Sequence, residues 1–160
     1  MSVWGTAVGG LVGTFVLTTI LRTASELRLT RVDLPFLLGT AVTADRGRAK
    51  AIGYMLHFVA GLLFSLAYAI GFAALDRSGW LLGAAFGLIH GLFAGSALVN
   101  ILLPVVHPRM GTPSSSIASG ALLEPPGFMM MNYGRSTPIV SLAAHVVYGA
   151  IVGWFASAAS

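Results

Sequence analysis

Four stretches of this chain, residues 1–21, 51–75, 78–107 and 136–160, contain no aspartate, glutamate, lysine or arginine. A helix needs about 20 apolar residues to cross a ~30 Å hydrocarbon core, and each stretch is long enough. Inside lipid a backbone must satisfy its own hydrogen bonds, which makes these stretches helices rather than strands. Composition agrees: 56% of the residues are hydrophobic and 9% are charged, against roughly 25% charged in a water-soluble domain. The expected fold is all-α, an integral membrane four-helix bundle in one transmembrane domain, with spans at about 3–21, 51–75, 80–104 and 137–158. The absence of cysteine excludes a disulfide scaffold, thiolate catalysis, Cys-ligated zinc and iron–sulfur clusters.

The charges lie between the spans. Arg22, Arg28, Arg31, Arg46, Arg48 and Lys50 occupy the first connection, Arg109 and Arg135 the third, and only Arg77 the second. Basic residues mark cytoplasmic connections. The long connections 22–50 and 107–135 are therefore expected in the cytoplasm and both termini outside, in a multi-pass protein of the bacterial inner membrane. Trp4, Trp80 and Trp154 fall near the outer span ends, where an aromatic belt sits. The first stretch has no basic residue ahead of its apolar run, so it reads as a retained span and not as a cleaved signal peptide. The net charge of +4 is explained by cytoplasmic flanks beside anionic lipid, and no nucleic-acid partner is expected.

Glycines recur every fourth residue at Gly5, Gly9 and Gly13 in span 1, and at Gly83, Gly87, Gly91 and Gly95 in span 3. Such stripes let helices approach closely in lipid, where no hydrophobic effect draws them together. Flat ligands such as haem or a quinone ring also use glycine faces. Each following connection carries an acid beside proline, at Asp33-Leu34-Pro35 and Glu124-Pro125-Pro126, and His57-Phe58-Val59-Ala60-Gly61 parallels His145-Val146-Val147-Tyr148-Gly149. These matches predict two tandem helix–loop–helix units, about 1–75 and 78–160, in the same orientation. The apolar loop stretches 32–43 and 117–131 are too short to span and are expected to be interfacial or re-entrant, while 111–116 reads as a plain turn.

His57, His90 and His145 are the histidines within the spans, and an ionisable group there marks a candidate functional site. At ~1.5 Å per helical residue, His57 lies about 9 Å and His145 about 13 Å from the cytoplasmic edge, and His90 about 15 Å from the outer edge. All three can share one layer, with Asp33 and Glu124 arriving from the cytoplasmic side. Imidazole with carboxylate suits a transition metal, which makes His57, His90, His145, Glu124 and Asp33 a candidate ligand set. Two histidines on facing helices also suit haem b. The competing role for each histidine is a hydrogen bond that locks the packing. A Glu-x-x-His pair of the di-iron bundles, a phosphate-binding loop and a catalytic triad are all missing. Met129, Met130 and Met131 raise copper(I), but three consecutive residues point in three directions.

His145-Val146-Val147-Tyr148-Gly149 in the last span, His90-Gly91 within the glycine ladder and Leu103-Pro104 at its end resemble small bacterial four-span membrane protein families of unknown function. The resemblance implies a four-helix architecture and no particular activity. Three functions stand open from the residues. The first is a redox or accessory subunit holding a metal or haem in the histidine layer. The second is a structural or assembly subunit, as a homo-oligomer or within a larger membrane complex, without a cofactor. The third is a small transporter or channel, against which the acid-free first span and the one-sided basic residues weigh.

Overall fold

Each charge-free stretch becomes a long helix whose ends are set by capping groups. The structure, a computed structural model, describes residues 2–111 and 123–158. Helix α1 (Val3–Glu26) starts at Ser2, whose hydroxyl accepts from the Gly5 N–H. Helix α2 (Leu34–Thr40) starts at Asp33, which accepts from the Phe36 N–H at 3.0 Å, with Pro35 in its first turn. Helix α3 (Arg46–Ala74) is capped by Asp45 on the Arg48 N–H at 2.7 Å, and α4 (Trp80–Phe93) follows Gly79, whose φ of +138° favours glycine. The chain continues through a π-helical stretch, Ala94–Leu102, into a one-turn α5 (Leu103–Val106). A 3-10 turn, Phe128–Tyr133, precedes α6 (Thr137–Ala158).

Four helices are long and apolar enough to cross a membrane: Val3–Glu26, Arg46–Ala74, Trp80–Val106 and Thr137–Ala158. The first and second run past the expected edges, to Glu26 rather than Leu21 and from Arg46 rather than Ala51. Missing charge marks what lipid tolerates, whereas the hydrogen-bonded helix runs until a cap or a left-handed residue such as Arg28 (φ +59°) stops it.

Helix α6 stands between α4 and α1, and α3 packs on α1 and α2. The glycine stripes of α1 and α4 both close on α6: Gly13 lies against Tyr148, Gly9 against Val152 and Phe155, and Gly83 and Gly87 against the Gly149 and His145 backbone. Side chains join α3 to α4 where the backbones stay apart. Phe72 and Phe86 stack at 5.1 Å and Tyr68 meets Phe86 edge-on at 5.4 Å. Tyr68, Phe72, Tyr148 and Val152 form the mid-bundle core with Leu17 and Leu21.

The Ser2 N–H donates to the Ala156 carbonyl at 3.1 Å, tying the start of α1 to the end of α6. At the opposite end the two long connections meet. Arg31 pairs with Glu124 at 3.2 Å, its backbone N–H donates to the Tyr133 carbonyl at 2.7 Å, and Arg109 donates to the Thr40 carbonyl at 2.7 Å. The stretch 32–43 holds the capped helix α2. Of 117–131, residues 123–131 are described, with Met129 and Met130 left-handed at φ 51° and 60°; of 111–116, only Gly111 is described.

Candidate functional site

The wider gap between α3 and the α4–π helix contains a cavity of about 230 Å³. Its inner end is formed by Thr14, His57, Phe64, His90, His145 and Tyr148, and its long wall by Leu98, Leu102 and Val106, with Leu34 and Leu38 of α2 covering the loop end. The three histidines predicted to share a layer therefore converge on one cavity. Sequence and packing explain their placement: each sits among small residues, His57 between Gly53 and Gly61, His145 beside Gly91, and His90 next to Gly91.

The three rings are held differently. His145 Nδ1 donates to the Ser141 carbonyl at 2.8 Å, which leaves its Nε2 as an acceptor. His90 stacks on Phe64 at 3.8 Å between centroids, meets His145 edge-on at 4.8 Å, and hydrogen-bonds the Tyr68 hydroxyl through Nδ1 at 3.3 Å. The Tyr148 hydroxyl donates to the Gly61 carbonyl, spanning from α6 to α3 beneath the cavity. His57 is 9% exposed, and its Nε2 is buried without a hydrogen-bond partner. Buried polar atoms are normally paired, and leaving one unpaired costs about 1–3 kcal/mol.

Asp33 and His57 share a second, smaller pocket of about 30 Å³ with Arg22, Ser25 and Tyr54, room enough for water at ~15 Å³ each. Asp33 also caps α2 and faces Lys50 at 3.7 Å. Glu124 goes elsewhere, to Arg31 and a surface pocket beside Tyr133. Burial pushes the Tyr133 hydroxyl up to about 12, and the Glu124 carboxylate adds to the shift.

Among the described residues, no group of three or more His, Asp or Glu side chains is arranged to hold a metal ion. Metal–nitrogen bonds of ~2 Å would set two imidazoles on opposite faces of one iron roughly 6 Å apart between centroids. His90 and His145, at 4.8 Å and edge-on, are instead packed on each other.

Several contributors were not singled out from the sequence. Phe64 and Leu98 look like ordinary lipid-facing residues there. The π-helical stretch that forms the cavity wall had one signal, Pro104, which lacks an N–H and whose ring crowds the carbonyl four residues back. The helix widens just before it, and the Leu103 N–H reaches the Leu98 carbonyl. Such π segments recur at functional sites. No family model, no curated protein and no solved structure matches the chain.

Proposed function

We propose that this chain is a multi-pass inner-membrane protein whose four-helix bundle binds a lipid-soluble molecule in the cavity headed by His57, His90 and His145. The membrane part rests on the four long apolar helices and on large apolar side chains left exposed around them, such as Phe15, Ile70, Ile89 and Ile139. A water-soluble protein would bury these; lipid solvates them. The antiparallel helices gather eight basic residues at the α2 end and leave Arg77 at the other, so the α2 end faces the cytoplasm.

One observation carries the binding function: the imidazoles of His57, His90 and His145 line one cavity whose other walls are largely aliphatic. A guest with a polar group for these imidazoles buries its remaining surface against the apolar walls. Purification of the full chain in mild detergent, followed by native mass spectrometry, tests this. The expected result is a retained organic mass that is lost from Ala94→Trp, which fills the cavity. No site-dependent mass, or a metal or haem spectrum lost with His57→Phe and His145→Phe, would overturn it in favour of an empty bundle or a redox subunit.

A further inference from the structure

We infer that the guest is a neutral amphipath: a flat ring bearing a carbonyl or hydroxyl, with an aliphatic tail, which is the chemistry of a lipid quinone or quinol. The inference rests on the proposed binding function and adds the class of ligand.

The charge of the head follows from what the cavity lacks. No Asp, Glu, Lys or Arg is among its lining residues. The nearest acid–base groups on the α2 side are already matched, Asp33 with Lys50 and Arg22 with Glu26. A carboxylate, phosphate or ammonium would enter without a counter-charge, and an unpaired buried charge is far costlier than a buried dipole. The head is therefore uncharged.

Its hydrogen-bonding character follows from the histidines. An imidazole nitrogen either donates or accepts depending on tautomer. The His57 imidazole on the cavity wall therefore serves a carbonyl oxygen or a hydroxyl equally well, and the His145 Nε2 is an acceptor. The shape follows from the walls. Phe64, already stacked on His90, gives a flat aromatic wall at the inner end, while the small Ala60 leaves room next to it. Beyond the histidines the cavity runs between Leu34 and Leu38 on one side and Leu98, Leu102 and Val106 on the other. That channel takes an alkyl or prenyl chain and nothing polar.

The test is binding of decyl-benzoquinone and, separately, decanoate to the full chain in nanodiscs, read by thermal shift and native mass spectrometry. The quinone is expected to bind one per chain and raise the unfolding temperature, and decanoate to do neither. His57→Phe should weaken the quinone about tenfold, the loss of one hydrogen bond, and Ala94→Trp should abolish binding. Leu98→Phe narrows the same wall and serves if Ala94→Trp does not fold. Decanoate binding as tightly as the quinone, or unchanged quinone affinity in His57→Phe, overturns the ligand class while the lipid-binding cavity stands. Neither probe binding, with no effect of the filling variants, removes both.

Discussion

Gly83 of α4 and Gly149 of α6 lie face to face, and a methyl group built on either collides with the carbonyl oxygen of the other. The two backbones touch there, so nothing flexible can yield. Gly149→Ala is expected to destabilise the bundle by about 1–3 kcal/mol, the range for overpacking a close-packed interior. Gly47→Ala, in the first turn of α3 with only the Asp45 carboxylate nearby at 3.5 Å, should be neutral or stabilising by about 0.5–1 kcal/mol through helix propensity. Thermal unfolding of the two variants in one detergent measures the contrast. Equal melting temperatures would mean that the α4–α6 contact is looser than described.

Asp33 has a structural job that a ligand role would not predict. Its carboxylate caps α2 through the Phe36 N–H and faces Lys50 at the partly exposed rim. Asp33→Asn keeps the cap and loses only a weak ion pair, so it should behave as wild type. Asp33→Ala loses the cap and is expected to cost about 1 kcal/mol, loosening the helix that covers the cavity. Hydrogen exchange over residues 34–40 reads this directly. Equal protection in both variants would show that the cap contributes nothing.

The four long apolar helices were legible because a hydrocarbon core tolerates little charge, and uncharged stretches long enough to cross one stand out in the sequence. Helix rise sets the depth of His57, His90 and His145 along their helices, and the one cavity that all three line agrees with a shared layer. What stayed hidden depends on backbone detail. The charge pattern places the edge of α3 at Ala51, but Asp45 starts the helix earlier, because a cap acts through geometry and not through hydropathy. Leu34 and Leu38 read as an apolar loop; only the fold shows them closing a cavity. Glu124 carries the same acid–proline pattern as Asp33, yet it pairs with Arg31 away from the histidines, because Pro125 and Pro126 are followed by left-handed residues and a 3-10 turn rather than a capped α-helix. Sequence similarity in the two connections did not carry the same backbone.

His57 and His90 should respond to phenylalanine with opposite signs. In ligand-free protein, His57→Phe removes a buried nitrogen that has no partner, and stability should be unchanged or rise by about 1 kcal/mol. His90→Phe leaves the Tyr68 hydroxyl without the His90 nitrogen, and should cost about 1–2 kcal/mol. Unfolding of delipidated samples of each variant, side by side, gives the two signs. Marked destabilisation by His57→Phe would show that its Nε2 is already satisfied.

Tyr133 links the loop end to pH. Its hydroxyl donates to the Glu124 carbonyl at 2.7 Å and ionises near 12 instead of the ordinary 10.0, first because it is buried and then because of the Glu124 carboxylate. The fold therefore favours the neutral hydroxyl. Its contribution is whole below about pH 10 and is lost as the pH climbs to about 12. A difference titration of tyrosinate absorbance, wild type minus Tyr133→Phe, should show one group with a midpoint near 12. Tyr133→Phe itself should cost about 1 kcal/mol at neutral pH through the lost hydrogen bond, and should flatten the stability decline across that alkaline window. A difference midpoint at the ordinary tyrosine value would mean that the 3-10 turn stands open in solution and that the Arg31–Glu124–Tyr133 cluster does not hold the two long connections together.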